Sequence, residues 1–138
     1  MLAELSGRPF DRDCLEIIGE PLEDVRHPLK WCPWTDKLLS AYQIKGLTIQ
    51  NPGNAFFSGC TIIVFAGLRN FLKANAGKDF GGAEICFGGA VADEKSKPVV
   101  LLGKCPMAAN KDRDDAISIK GCPVGISDVV NGLTEALC

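Results

Sequence analysis

The stretch Pro98-Val99-Val100-Leu101-Leu102-Gly103-Lys104-Cys105-Pro106 decides how the rest of the chain is read. Its first five residues are apolar without interruption. A strand with one face in water alternates apolar and polar residues. A strand covered on both faces reads as a continuous apolar run, which is the pattern of sheets in α/β proteins. Gly103 closes the run and a Cys-Pro pair follows at once. The strand therefore delivers a thiol to its carboxyl end.

Downstream of this stretch, 116–119 reads as a short strand and 127–137 as a final helix capped by Ser127 or Asp128. Upstream, 83–87 is a strand closed by Gly88-Gly89. Ile63, Phe65, Leu68, Phe71 and Leu72 recur at helical spacing within 60–73, and Asn75-Ala76-Gly77 ends that helix. Leu47-Thr48-Ile49-Gln50 reads as a strand, followed by the turn-rich loop Asn51-Pro52-Gly53-Asn54. A helix is expected over 35–44, with Thr35 or Asp36 as its N-cap and Gly46 as its stop. Nearer the N-terminus, Cys14-Leu15-Glu16-Ile17-Ile18 is a further strand candidate, and Pro9, Pro21, Pro28 and Pro33 punctuate the remainder. The expected organisation is one domain over 1–138, with an irregular N-terminal segment over 1–45 and a cysteine-bearing core over 46–138. Its class is α/β, a single-domain sandwich with a mixed or mostly parallel sheet.

The bulk composition bounds the function. A chain of 138 residues, 46% hydrophobic and 23% charged, can bury a core without covalent staples. The net charge is −2, and acidic and basic residues alternate, as in Lys111-Asp112-Arg113-Asp114-Asp115. A nucleic-acid surface normally needs a basic face, so nucleic acid is not expected as a partner. No run approaches the roughly 18 apolar residues of a membrane-spanning helix, and residues 1–12 lack the features of a secretory signal. The expected location is the cytoplasm. Seven cysteines in a reducing compartment point to metal binding or thiol chemistry rather than to a disulfide framework.

Three of the cysteines precede proline: Cys32-Pro33, Cys105-Pro106 and Cys122-Pro123. Proline fixes φ and removes a backbone donor, so it stiffens the turn that presents the sulfur. A glycine before the cysteine lets the backbone pass close to a bulky group. Gly121 supplies this at Cys122 and Gly59 at Cys60. Cys105 and Cys122 follow strands, and Cys60 opens a helix. In a parallel sheet these positions converge at the carboxyl edge, where such folds bind ligands. Gly88 and Gly89 at the end of the neighbouring strand would admit a cofactor there. The expected site is an iron-sulfur centre, of the 4Fe–4S kind, held by Cys60, Cys105 and Cys122 with Cys32 as a fourth ligand or with one iron open. The chain has no Cys-x-x-Cys pair, which disfavours structural zinc. Cys14 and Cys86 lie in apolar strands and read as packing residues, and Cys138 is terminal.

The part from about residue 46 to 137 resembles the C-terminal region of a family of uncharacterised cysteine-containing domains found beside ferredoxin modules. The likeness rests on Asn51-Pro52, Ser58-Gly59-Cys60, Glu84-Ile85-Cys86-Phe87-Gly88, Gly103-Lys104-Cys105, Ala109-Asn110-Lys111 and Lys120-Gly121-Cys122-Pro123, in that order. Phe57 stands where the family pattern has another cysteine. Gly121-Cys122-Pro123 also resembles the Gly-Cys-Pro-Pro ending of the cluster-binding small subunits of hydrogenases and NADH-quinone oxidoreductase, with Val124 in place of the second proline. Both likenesses imply a role in iron-sulfur or redox chemistry, with a redox partner protein or a larger enzyme subunit.

Two other classes fit the same residues. A thiol enzyme would use Cys60 or Cys122 as nucleophile at a helix start. The only histidine, His27, lies between prolines and reads as a surface residue, so a base is missing. A non-catalytic interaction domain would present Trp31, Trp34, Phe56 and Phe57 as an apolar patch. The pairs Gly81-Gly82 and Gly88-Gly89 match no phosphate-binding fingerprint and read as turns.

Overall fold

Four parallel strands, paired in the order of the sequence, form the sheet that the apolar runs require. The computed structural model of the chain describes residues 19, 21, 34–50 and 59–138. By internal contacts the chain divides into two compact units, Met1–Trp31 and Cys32–Cys138. The second carries the sheet. Its elements are α1 (Trp34–Ala41), β1 (Lys45–Gln50), α2 (Gly59–Ala74), β2 (Asp79–Phe87), β3 (Val99–Leu102), α3 (Lys104–Ala109), β4 (Ile117–Ile119) and α4 (Ile126–Leu137). The strand candidate at 14–18 lies outside the described residues.

The period of two along the strands divides the core into two layers. On one face Leu47, Ile49, Ala83, Ile85, Phe87, Val100 and Leu102 pack against Val64, Leu68, Phe71 and Leu72 of α2 and against Val129 and Leu133 of α4. The α2 residues recur at i, i+4, i+7 and i+8, the stripe of a helix with one buried side. On the other face Cys86, Val99 and Leu101 pack with Ala90 and Ala92 of the β2–β3 connection, and Met107 of α3 joins them. Val99, Val100, Leu101 and Leu102 are all buried, as a strand covered on both faces must be. The class is α/β, as expected, and the sheet is wholly parallel in pairing: Leu47↔Ala83, Glu84↔Val99 and Val100↔Ile117.

The elements differ from the sequence reading in three places. The first helix ends at Ala41 rather than 44. Gln43 takes the left-handed conformation at φ 56°, and Ile44 N–H donates to Leu39 O at 3.0 Å, so a glutamine makes the stop assigned to Gly46. Gly46 instead lies within β1 at φ 59°. A Cβ there would meet Gly81 N at 2.7 Å. Gly81 and Gly82, read as turns, are inside β2 at φ 65° and 95° and belong to the irregular register between Lys45 and Leu47. The third difference is α3, which the sequence reading left as a turn. Its proline, Pro106, falls in the first helical turn, where the missing N–H has no intrahelical partner to lose.

Candidate functional site at the carboxyl edge of the sheet

Parallel strands point all their carboxyl ends one way, and the three positions expected to converge there do so. Cys60, Cys105 and Cys122 line one cavity of about 220 Å³. Each arrives by a different route. Cys60 is in the first turn of α2, one turn before Val64, which lines the same cavity. Cys105 is in the first turn of α3, directly after β3. Cys122 follows β4 by three residues. Cys60 is half-buried, whereas Cys105 and Cys122 are exposed at the rim.

The floor is apolar: Val64, Phe87, Leu102, Pro106 and Val124. All five are buried. Trp34 braces Phe87 from α1, with ring centroids 6.0 Å apart, and meets Phe65 edge-on at 5.1 Å. Lys104 is the one charged residue in the lining, and among the described residues around the cavity there is no histidine or carboxylate. A thiol nucleophile at Cys60 or Cys122 therefore has no such base beside it among those residues.

Of the expected cofactor glycines, Gly88, Gly89 and Gly121 line the cavity, and Gly59 does not. Gly121, at φ 152°, is needed by its own chain: a Cβ would stand 2.8 Å from Val124 Cα. Gly103, at φ 93°, is its counterpart, because a Cβ there would meet Gly121 O at 3.2 Å. The bare backbones let the two cysteine loops close, joined by Gly103 N–H donating to Ile119 O at 2.9 Å and Lys104 N–H to Gly121 O at 3.3 Å.

The wall formed by Gly88 and Gly89 is held by residues to which the sequence reading gave no role in the site. Asn110, buried at the end of α3, donates to Ala90 O and Pro106 O, both at 2.8 Å, and accepts from Ala92 N–H at 2.8 Å. Arg113, from the run of alternating charge at 111–115, donates to Asp93 O at 2.9 Å and Ser96 O at 3.2 Å. It also pairs with Asp115 at 2.8 Å. The guanidinium holds the Asp115 carboxyl below its ordinary range. Glu84, fully buried on the opposite face from α2 and α4, accepts from Asp93 N–H at 2.9 Å through Oε2. Its Oε1 has no hydrogen-bond partner among the described residues.

Cys86 is buried in β2 on that opposite face, away from the cavity lining. Cys138 is exposed, with Lys78 Nζ 3.6 Å and Asn75 Oδ1 3.5 Å from its sulfur. Cys14, His27, Trp31, Cys32, Phe56 and Phe57 lie outside the described residues, and with them the expected fourth ligand and most of the expected aromatic patch. Among the described residues no group of three or more histidine, cysteine, aspartate or glutamate side chains is arranged to hold a metal ion. In the same residues no helix is long and apolar enough to cross a membrane. Comparison of the chain with protein-family models, curated proteins and solved structures found no match.

Proposed function

We propose that the cavity holds an iron-sulfur cluster of the 4Fe–4S kind, ligated by Cys60, Cys105 and Cys122 with Cys32 as a fourth ligand, and that the protein serves electron transfer to a redox partner or larger enzyme subunit in the cytoplasm. The observation that carries this reading is that three cysteines, from α2, from α3 and from the loop after β4, line one cavity. A lone ion needs its ligands to converge within about 2.0–2.3 Å of one point. A cluster is ligated at separate corners, so thiols that do not converge on one centre still suit it.

A bound cluster supplies reversible one-electron transfer. The chain's own contribution is the environment. Val64, Phe87, Leu102 and Val124 keep water from the inner side, which raises the cost of added negative charge, and Lys104 opposes that effect at the rim. The exposed Cys105 and Cys122 leave the outer side open for a partner to approach.

The test is anaerobic reconstitution of the full chain with iron and sulfide, followed by iron and acid-labile sulfide analysis. The expected result is a coloured protein with iron and sulfide in equal amounts. Cys60→Ser, Cys105→Ser and Cys122→Ser each lose most of the iron, and Cys138→Ser retains it. A folded, colourless, iron-free wild type after reconstitution overturns the reading.

A further inference from the structure

Cys105 and Cys122 stand in a closer relation to each other than either does to Cys60. They follow neighbouring parallel strands whose last ladder pair is Leu102↔Ile119. Beyond that pair the two chains stay joined. Gly103 N–H donates to Ile119 O at 2.9 Å, and Lys104 N–H to Gly121 O at 3.3 Å. Each cysteine is thus the residue immediately after one partner of a backbone hydrogen bond. Gly103, at positive φ, would place a Cβ 3.2 Å from Gly121 O, so its bare backbone lets the two chains stay in contact just ahead of the thiols. Both thiols are exposed and both line the cavity. A disulfide needs α-carbons about 4.4–6.8 Å apart, and the Lys104–Gly121 hydrogen bond holds together the residues immediately before the two cysteines. Cys60 comes from α2, and among the described residues the backbone hydrogen bonds at these two loops run between the loops themselves.

We propose that Cys105 and Cys122 form a reversible dithiol–disulfide pair whose oxidant is a low-molecular-weight disulfide of the glutathione type. The thiolate of one cysteine attacks a sulfur of the small disulfide, forming a mixed disulfide and expelling one small thiolate. The second cysteine, as its thiolate, attacks the protein sulfur of that mixed disulfide and expels the other. The two protons given up by the cysteines pass through solvent to the two departing thiolates. The protein loses two electrons, and the small disulfide is reduced to two thiols. This is chemistry of the metal-free protein and does not depend on the cluster.

The experiment uses the full chain without metal, equilibrated with graded ratios of oxidised to reduced glutathione, quenched by alkylation, digested with trypsin and analysed by mass spectrometry. The expected product joins the peptides 105–111 and 121–138 at a mass two hydrogens below their sum plus the group that blocks Cys138, with fragment ions placing the bond at Cys122, and it disappears in excess reduced glutathione. The link persists in Cys60→Ser and Cys138→Ser. In Cys105→Ser and Cys122→Ser it is absent, and the remaining cysteine of the pair carries glutathione instead. A wild type in which both cysteines carry glutathione separately, or in which the link runs to Cys60 or Cys138, overturns the proposal. Iron uptake is measured on separate samples, so failure of this pair and failure of the cluster reading are told apart.

Discussion

Cys86 occupies a strand position where a thiol is kept from ionising. Its environment is Ala90, Ala92, Val99 and Leu101. Burial, and then the nearby Glu84, push its pKa up to about 12 from 9.0, with Arg113 opposing. In the unfolded chain the same thiol titrates near its ordinary value. Below pH 9.0 both states hold the proton, and the native preference for the neutral thiol contributes to stability in full. Between pH 9.0 and about 12 the unfolded chain releases its proton first, and that contribution is lost. The urea midpoint of the wild type is therefore expected to fall more steeply across this interval than that of Cys86→Ala. Parallel pH profiles for the two proteins would show that burial does not control this thiol. Cys86 was legible as a packing residue because it sits inside an apolar run. Asn110 and Arg113 were not, since their partners in the β2–β3 connection lie 17 to 20 residues away. The need for glycine at 103 was equally hidden, because it looks like an ordinary turn glycine until Gly121 O is seen beside it in the neighbouring loop.

At the level of elements, two helical glycines set how closely α4 approaches its neighbours. A Cβ on Gly67 of α2 would lie 2.7 Å from Val129 Cβ, which is fully buried and anchored to the α4 backbone. A Cβ on Gly132 would meet Ile119 Cδ1 at 2.5 Å and Cγ1 at 2.7 Å, side-chain atoms of a half-buried residue on the edge strand. Alanine is the better helix former by about 1 kcal/mol at either site. At Gly67 the contact cannot relax without moving the helices apart, and overpacking of about 1–3 kcal/mol outweighs the gain. At Gly132 every clashing atom belongs to the Ile119 side chain on the edge strand, which can give way at lower cost, so the loss is smaller. Chemical denaturation should thus place Gly67→Ala below wild type and Gly132→Ala between the two; equal losses would refute the distinction. The strands and long helices followed from apolar periodicity, with ends displaced by a few residues. α3 escaped because Cys105-Pro106 fits a stiffened turn and a first helical turn equally well, and only its packing on β3 and the β2–β3 connection separates them.

Across the whole molecule, the parallel sheet explains why residues 60, 105 and 122 meet although 45 and then 17 positions separate them in the chain. Every strand delivers its carboxyl end to one edge, and the cysteines sit where the chain leaves that edge or returns to it. That convergence was readable from strand-end placement alone. The cavity's apolar floor and its loop wall depend on side chains from both core layers and emerge only in the folded structure. A cluster bound by the three thiols would tie α2 to the ends of β3 and β4, and binding to the native state alone raises stability by linkage. For a chain of this size the reconstituted wild type is expected to melt roughly 5–10 °C above its iron-free form. Anaerobic circular dichroism melts before and after chelation measure this difference. In Cys60→Ser the tie to α2 is cut, so chelation should leave the melting temperature almost unchanged. A wild type that takes up iron and sulfide yet melts at the same temperature with and without them would place the cluster somewhere other than across these three elements.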